Sequence, residues 1–533
     1  MNIKEAKEEI RRAVEVYLDK NEFGEYTIPV SKQRPIFMVG APGIGKTAIM
    51  EQIASELDIA LVSYSMTHHT RQSALGLPVI ESKEYDGKSV TVSEYTMSEI
   101  IAAIYQVMEA SGKKEGILFL DEINCVSETL APAMLLFLQY KIFGNRQIPR
   151  GWVVVTAGNP PQYNKSVKEF DVATMDRLRR IDVTEDFGVW KQYAYHQGVH
   201  DAVIAFLELN RQWFYSIQES VDGTRYVTAR GWEDLSTAMR IYEKKGFPVD
   251  KGLIGQYLAD DEIARKFHVY YQLYKKYQSD YQIEDILDGT ITDEIFKRAK
   301  EARMDERFSI LGLLLGRLND GFRASMSRNR SLLLVVKALR AVKKLDKEKK
   351  IAGLADTEYL ADLLEDEAQS LRTRLEEQTA ANSVTAQIRS EYLLAIQILN
   401  EYAQYAGDTK VDRSTKESGK NNKNGSSADG TGKETKVDGF AKIKKRFDKE
   451  ARQHEKDAKN LAAQLEHAFS FIEKVWGNTQ EMVLFVTELT TGMDSLEFIE
   501  QWGSESYFRY NQELLTYDQR ERLSAEIQEL MEE

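Results

Sequence analysis

A single cysteine, Cys125, is all the chain has for thiol chemistry. An internal disulfide framework is therefore excluded, and a reducing, cytoplasmic setting is expected. No stretch reaches the roughly 18 apolar residues that a membrane-spanning helix needs. "LGLLLG" and "LLLVVKAL" are short and flanked by arginine and lysine, so no membrane span is expected. The opening "MNIKEAKEEIRRAVEVYL" lacks the apolar run of a signal peptide and reads as a charged amphipathic helix. There is no basic tract, and the formal charge is −13. Nucleic acid is thereby disfavoured as the main partner, although a local basic channel stays open. No internal repeat is visible.

What is present is an ordinary globular composition, 42% hydrophobic and 29% charged, over 533 residues, too many for one core. Through residues 1–186, short apolar runs alternate with helical patterns. Five of the runs read as strands: Pro35–Gly40, Ala60–Ser65, Ile117–Asp121, Trp152–Gly158 and Arg180–Thr184. Helical stretches between them favour a parallel sheet covered on both faces. Val79–Glu94, with Asp86-Gly87 near its middle and rough alternation, reads as an inserted β-hairpin. A second tight loop, Tyr140–Gly151, precedes the fourth strand. Residues 187–288 read as helical, with aromatics at helical spacing, and residues 289–406 as a helical extension. Gly407–Gly439 has almost no apolar content and is expected to be a disordered linker. From Phe440 to Val475 apolar residues recur at helical spacing, as in a long amphipathic helix or coiled-coil seam, and a small helical cap completes 440–533. The expected fold class is α/β plus all-α.

Gly40–Thr47, GAPGIGKT, directly follows the first strand and opens a helix. It fits GxxxxGK[ST], in which glycines let backbone N–H groups turn toward phosphate oxygens and the helix start adds partial positive charge. The expected nucleotide contacts are Gly40, Ala41, Pro42, Gly43, Ile44, Gly45, Lys46, Thr47 and Ala48. Lys46 would reach the β- and γ-phosphates and the Thr47 hydroxyl would ligate Mg²⁺. The bland alternative, a chance match in a glycine-containing turn, fits poorly with four fixed positions in the right context.

The third strand ends in two adjacent carboxylates, Asp121 and Glu122. Charge at the end of a buried strand is costly without a cation nearby. Magnesium on the phosphates would supply that cation to Asp121. Neighbouring strand residues face opposite ways, so Glu122 is expected to face a water in line with the γ-phosphate and accept its proton. The alternative is a plain surface acid pair. Cys125 reads as buried filler behind this strand. His68 and His69 have no further ligands at metal-binding spacing, so no metal is assigned beyond the nucleotide's Mg²⁺; with Arg71 they read as a loop near the nucleotide or a pore.

With these motifs the sequence resembles the AAA+ ATPases, and among them the MoxR-like branch with its dynein/midasin-type module, over roughly residues 30–285. "VVVTAGNPPQYN" matches the family's sensor 1, which implies that Asn159 orients the attacking water; an Asn-Pro turn cap is the other reading. "ATMDRLRR" matches the arginine-finger segment, with Arg177 aligning best. The family more often has Phe where Leu178 stands, and Arg179 and Arg180 remain candidates. "YVTARGWEDLS" resembles sensor 2, with Arg230 on the γ-phosphate, although Ala229 stands where the family often has Pro. The two inserted loops match the family's helix-2 insert and pre-sensor-1 hairpin, which line a ring's central opening.

The resemblance implies a five-stranded P-loop core, a helical lid, ATP and Mg²⁺ as cofactors, and a ring that is usually a hexamer. It also implies a remodelled or activated protein client, often one with a von Willebrand factor type A domain. Two other readings stand beside it: a McrB-like GTPase linked to nucleic-acid processing, and a nucleotide-stabilised scaffold without catalysis. The C-terminal half lies outside the resemblance. A docking arm, an oligomerisation strut and a packing extension all fit it.

Overall fold

The computed structural model describes residues 1–85, 88–143, 146–163, 167–220, 223–351, 359–417 and 439–514. The chain divides into two compact units. One comprises Met1–Trp190, Tyr215–Gly231 and Thr373–Arg389; the other comprises Lys191–Phe214, Trp232–Arg372 and the chain from Ser390 onward.

The first unit carries strands β1 (Ile36–Gly40), β2 (Ala60–Ser65), β3 (Pro78–Tyr85), β4 (Lys88–Tyr95), β5 (Gly116–Asp121), β6 (Ile142–Phe143), β7 (Arg146–Gln147), β8 (Trp152–Gly158) and β9 (Arg179–Val183), then β10 (Ser216–Ser220) and β11 (Gly223–Val227). Its helices are α1 (Ile3–Leu18), α2 (Lys46–Glu56), α3 (Arg71–Leu75), α4 (Glu99–Ser111), α5 (Ala131–Tyr140) and α6 (Val172–Met175). The five runs expected to be strands form one parallel sheet in the order β2-β5-β8-β1-β9.

Alternation within each strand sorts side chains to two faces. Phe37, Val62, Leu118, Leu120 and Val154 meet Ile100, Ile101 and Ile104 of α4 and Met134 and Phe137 of α5. Ile36, Met38, Leu61, Ile117, Phe119, Val153 and Val155 meet Ile10 and Val14 of α1 and Ile49, Met50 and Ile53 of α2. Both faces are covered, which is why these strands read as continuous apolar runs. A side chain as fully buried as Phe119 contributes about 1.5–3 kcal/mol of transfer free energy. Helix α1 starts on a capping box in which Asn2 and Glu5 exchange bonds with each other's backbone N–H.

The inserted hairpin is β3–β4, paired antiparallel; its expected turn, Asp86-Gly87, lies outside the described residues. The loop over Tyr140–Gly151 contains the short pair β6–β7. One expectation needs correcting. Residues 187–288 were expected to be helical throughout, yet β10 and β11 form an antiparallel hairpin there. In "SIQESVDGTRYV" the Asp-Gly dipeptide is the one hairpin signal; the flanks do not alternate, since Gln218, Glu219 and Ser220 are consecutive polar residues, so no period-two pattern marks the strands.

Helices α7 (Phe187–Gln197), α9 (Ala229–Lys245), α15 (Tyr359–Ala380) and α16 (Ala386–Glu417) are divided between the two units, and the second unit contains α8 (Asp201–Leu209), α10 (Lys251–Tyr257), α11 (Asp261–Tyr281), α12 (Ile283–Leu287), α13 (Asp293–Glu301), α14 (Met304–Ile351), α17 (Gly439–Trp476), α18 (Gln480–Thr491) and α19 (Met493–Trp502). The spine is α14, packed on α8, α11, α17, α18 and α19. Leu461 of α17 lies so close to Gly321 of α14 that a Cβ there would sit 2.7 Å from it. The apolar face of α17 (Leu461, Leu465, Ala468, Ile472 and Val475) is buried, with α12, α13, α14 and α18 of the same chain against this helix.

Helix α16 continues to Glu417, into the segment expected to be a linker; residues 418–438 lie outside the described residues, and Gly439 already opens α17. Adding residues to an existing helix costs far less than nucleating one, so low apolar content alone does not stop α16 at Ala406. No helix among the described residues is long and apolar enough to cross a membrane.

Candidate active site

The carboxyl ends of β1, β2, β5 and β8 lie side by side, because the strands are parallel and adjacent in the sheet. Ligands of open α/β sheets bind outside this edge. The loop from β1 to α2 turns on Gly43 at φ +75° and Gly45 at φ +95°, a region that L side chains rarely adopt. Lys46 is the first residue of α2 and is buried. Its Nζ donates to the carbonyls of Gly40 (2.7 Å) and Ala41 (2.8 Å) and to Oδ1 of Asn159 (2.9 Å). Burial pulls its pKa down to about 8; Asp121 opposes that shift, Arg230 adds to it and Glu122 opposes it.

Thr47 Oγ1 donates to Asp121 Oδ2 at 3.2 Å. This hydroxyl and carboxylate are hard oxygen donors beside a phosphate-binding loop, a set that fits Mg²⁺ accompanying a nucleotide. The neighbouring acid is oriented differently, and not by strand alternation. Strand β5 ends at Asp121, and Glu122 takes the left-handed conformation, φ 56°, ψ 35°. For a non-glycine residue this is a costly backbone state that often marks functional sites. It brings the Glu122 carboxylate to the end of β2, where Oε2 accepts from Ser65 Oγ and Thr67 Oγ1, each at 2.9 Å.

Asn159, just past β8, is fixed from both sides. Its side chain accepts from Lys46, and its carbonyl accepts from Asn124 Nδ2 at 2.8 Å. Asn124 is buried against Gly158, where any Cβ would come within 2.5 Å of Asn124 Oδ1. Cys125 is half-buried rather than the buried filler expected. Burial, then Glu122 and Asp121, push its thiol pKa up, so it remains protonated at neutral pH.

The β10–β11 segment, whose strands were not expected, borders the phosphate loop. Tyr215 donates its hydroxyl to the Pro42 carbonyl at 3.0 Å, and a Cβ on Gly43 would lie 3.2 Å from the Thr228 side chain and 3.5 Å from Arg230 Cβ. Arg230 itself is exposed, in the first turn of α9. The three candidate finger residues separate clearly. Arg179 pairs with Glu9 at 2.7 Å, and Arg180 forks onto Asp182. Arg177 is exposed, donates to the Ala173 carbonyl at 3.0 Å and makes no ion pair among the described residues. Leu178 beside it is buried in the core. His69 contacts Ser73 Oγ at 3.1 Å and the Tyr64 ring edge-on, and Arg71 opens α3.

Lys46, Thr47, Asp121, Glu122 and Asn159 are thus brought together. Ser65, Thr67, Asn124, Tyr215 and Thr228 were missed by motif reading. Ser65 and Thr67 carried one usable signal: polar residues at the exit of a buried parallel strand lie on the ligand-binding edge.

A strand–loop–helix phosphate cradle with an acidic pair at the end of a neighbouring parallel strand defines the P-loop nucleoside-triphosphatase class. Residues 36–181 match the family model described as the ATPase family associated with various cellular activities (AAA). The chain therefore carries an AAA ATPase family domain with a parallel-sheet core, and such a domain implies ATP binding and hydrolysis. Comparison with curated proteins returned no match.

Proposed function

We propose that the protein is a ring-forming, MoxR-like AAA+ ATPase that uses Mg²⁺-dependent ATP hydrolysis to remodel or activate a protein partner. The observation supporting catalysis is the convergence of Lys46, Thr47, Asp121, Glu122 and Asn159 on one sheet edge, each side chain held by a neighbour. Loop N–H groups from Gly40 to Thr47 and the Lys46 ammonium bind the triphosphate. Thr47 and Asp121 would hold Mg²⁺, which would offset phosphate charge when bound.

Glu122 accepts a proton from a water whose oxygen bonds to the γ-phosphorus. The bond from that phosphorus to the β–γ bridging oxygen breaks, leaving ADP and phosphate. Asn159 orients this water. Arg230 contacts the γ-phosphate from α9, and Arg177 of an adjacent copy completes the pocket. Arg177 is favoured because Arg179 and Arg180 are already paired within the chain. The ring, the hexamer and a client with a von Willebrand factor type A domain rest on the sequence resemblance.

The test is ATP and GTP turnover by wild type and Glu122→Gln. Wild type should hydrolyse ATP preferentially, and Glu122→Gln should bind ATP normally while turning over about 10²–10⁴-fold more slowly. Equal turnover by the two proteins defeats the assignment.

A further inference from the structure

The free edge of the catalytic sheet, β2, is bonded by a segment more than three hundred residues away in the chain. The turn between α15 and α16 presents Ala381 and Asn382 to Leu61. Leu61 N donates to the Ala381 carbonyl at 2.9 Å, and Asn382 Nδ2 donates to the Leu61 carbonyl at 3.1 Å. Both backbone groups of one edge residue are therefore satisfied, on the side of β2 away from β5. Ala381 is fully buried, in the same core cluster as Ala60 and Val62 of β2.

The turn is built to hold this shape. Ala381 N donates to the Glu377 carbonyl, Asn382 N to Thr379 and Ser383 N to Gln378. Asn382 sits at φ 52°, a left-handed position that asparagine tolerates better than most residues. Further along the same strand lies Ser65, opposite Asp121 in the parallel register, and just beyond it Thr67. These are the two hydroxyls that hold Glu122.

We propose that the α15–α16 turn is a positioning device for hydrolysis: by bonding both backbone groups of Leu61 it fixes the lateral placement of β2, and through β2 the Ser65 and Thr67 hydroxyls that orient Glu122. Asn382 is then a positioning residue for the reaction although it touches neither substrate nor catalytic base. Strand β2 is held by β5 on one side, and the bonds at Leu61 add a restraint on the other. The residues preceding Thr373 and following Arg389, which continue α15 and α16, belong to the helical unit. A partner that moves either helix can therefore act on Glu122 through covalent continuity with this turn. The inference rests on the role assigned to Glu122 above.

The test uses the full chain with Asn382→Gly, which removes the side-chain donor yet accepts the left-handed backbone. Alongside it go Ser65→Ala/Thr67→Val and the triple combination. Asn382→Gly should lower kcat by about three- to tenfold, the loss of one oriented hydrogen bond, with KM for ATP unchanged and faster amide exchange at residues 61–67. In the Ser65→Ala/Thr67→Val background it should cause no further loss, since both changes break one chain of contacts.

Unchanged kcat, losses that multiply, or a change in KM alone overturns the positioning role and leaves only edge protection. Faster exchange with unchanged kcat does the same. A wild-type chain that binds ATP without hydrolysing it takes down the proposed function, and this inference with it. Normal hydrolysis by Asn382→Gly sinks the inference alone.

Discussion

The two units treat buried charge in opposite ways. In the helical unit, the cations Lys191 and Arg330 are spent on carboxylates. Lys191 bridges Glu208 at 2.7 Å and Glu488 at 2.5 Å, and Arg330 bonds Glu391, Asp494 and Glu497. In the sheet unit, Lys46 is held by two carbonyls and an amide oxygen, and Glu122 by two hydroxyls. A salt bridge between buried groups leaves little for a ligand, because opening it exposes two uncompensated charges. Neutral partners orient a charged group without cancelling its charge, so phosphate or water can still recruit it. Among Lys191, Arg330, Lys46 and Glu122 the kind of partner separates the structural charges from the candidate catalytic ones; Lys141, buried and bonded to the Gln33 carbonyl, shows that a neutral partner alone does not make a site.

The sharpest way to break this contrast is at the arginines. Arg177→Ala should lower ATP turnover about 10³-fold, the lower end for an arginine finger, while Arg180→Ala, whose fork rests on Asp182, should leave turnover near wild type. Steady-state assays of both decide it; equal effects would remove the distinction between paired and available guanidinium groups. Next in size, Lys191→Met should destabilise the helical unit by about 3–5 kcal/mol, since Glu208 and Glu488 lose their shared cation. Denaturant unfolding measures this, and ATP affinity of the folded protein should not change.

Lys46 sharpens the comparison through pH. Its folded pKa of about 8 lies below the unfolded lysine value, so between the two the unfolded chain binds more protons. The burial penalty is complete below about pH 8, and stability rises as pH climbs from there toward the unfolded value of about 10.4. Nucleotide-free wild type should therefore gain stability over that window, and Lys46→Met should lose part of the gain. Chemical unfolding at the two ends of the window measures the difference; an identical gain in both proteins means the amine is not desolvated. The smallest effect belongs to an exposed pair of the helical unit. Arg317→Ala, which breaks a contact to Glu284, should cost less than about 1 kcal/mol, and a thermal melt that shows more marks that pair as structural.

Much of the sheet unit was legible because its signals are local. Five apolar runs in covered strands and eight residues in GAPGIGKT carry periodicity and spacing within themselves. The acidic pair was legible as a pair, but the reason its members diverge was not. Strand alternation was the expected cause, whereas the left-handed turn at Glu122 does the work. The β10–β11 hairpin escaped because Tyr, Phe and Trp suit strands and helices alike and the residues flanking Asp-Gly do not alternate. Ser65, Thr67 and Asn124 escaped because short polar side chains carry no periodic signal, and their roles exist only through partners distant in sequence.

By itself the sequence determined the class of the core and the glycine-rich pattern of its loop, since a phosphate-loop motif and a run of buried strand residues are specified by neighbours along the chain. Only the tertiary structure decided how Glu122 is aimed, that Arg179 is spent on Glu9, and that Ala381 and Asn382 close the sheet's edge. Those depend on contacts between segments far apart in the chain, where the cost of bringing two groups together is met by packing that no local pattern encodes.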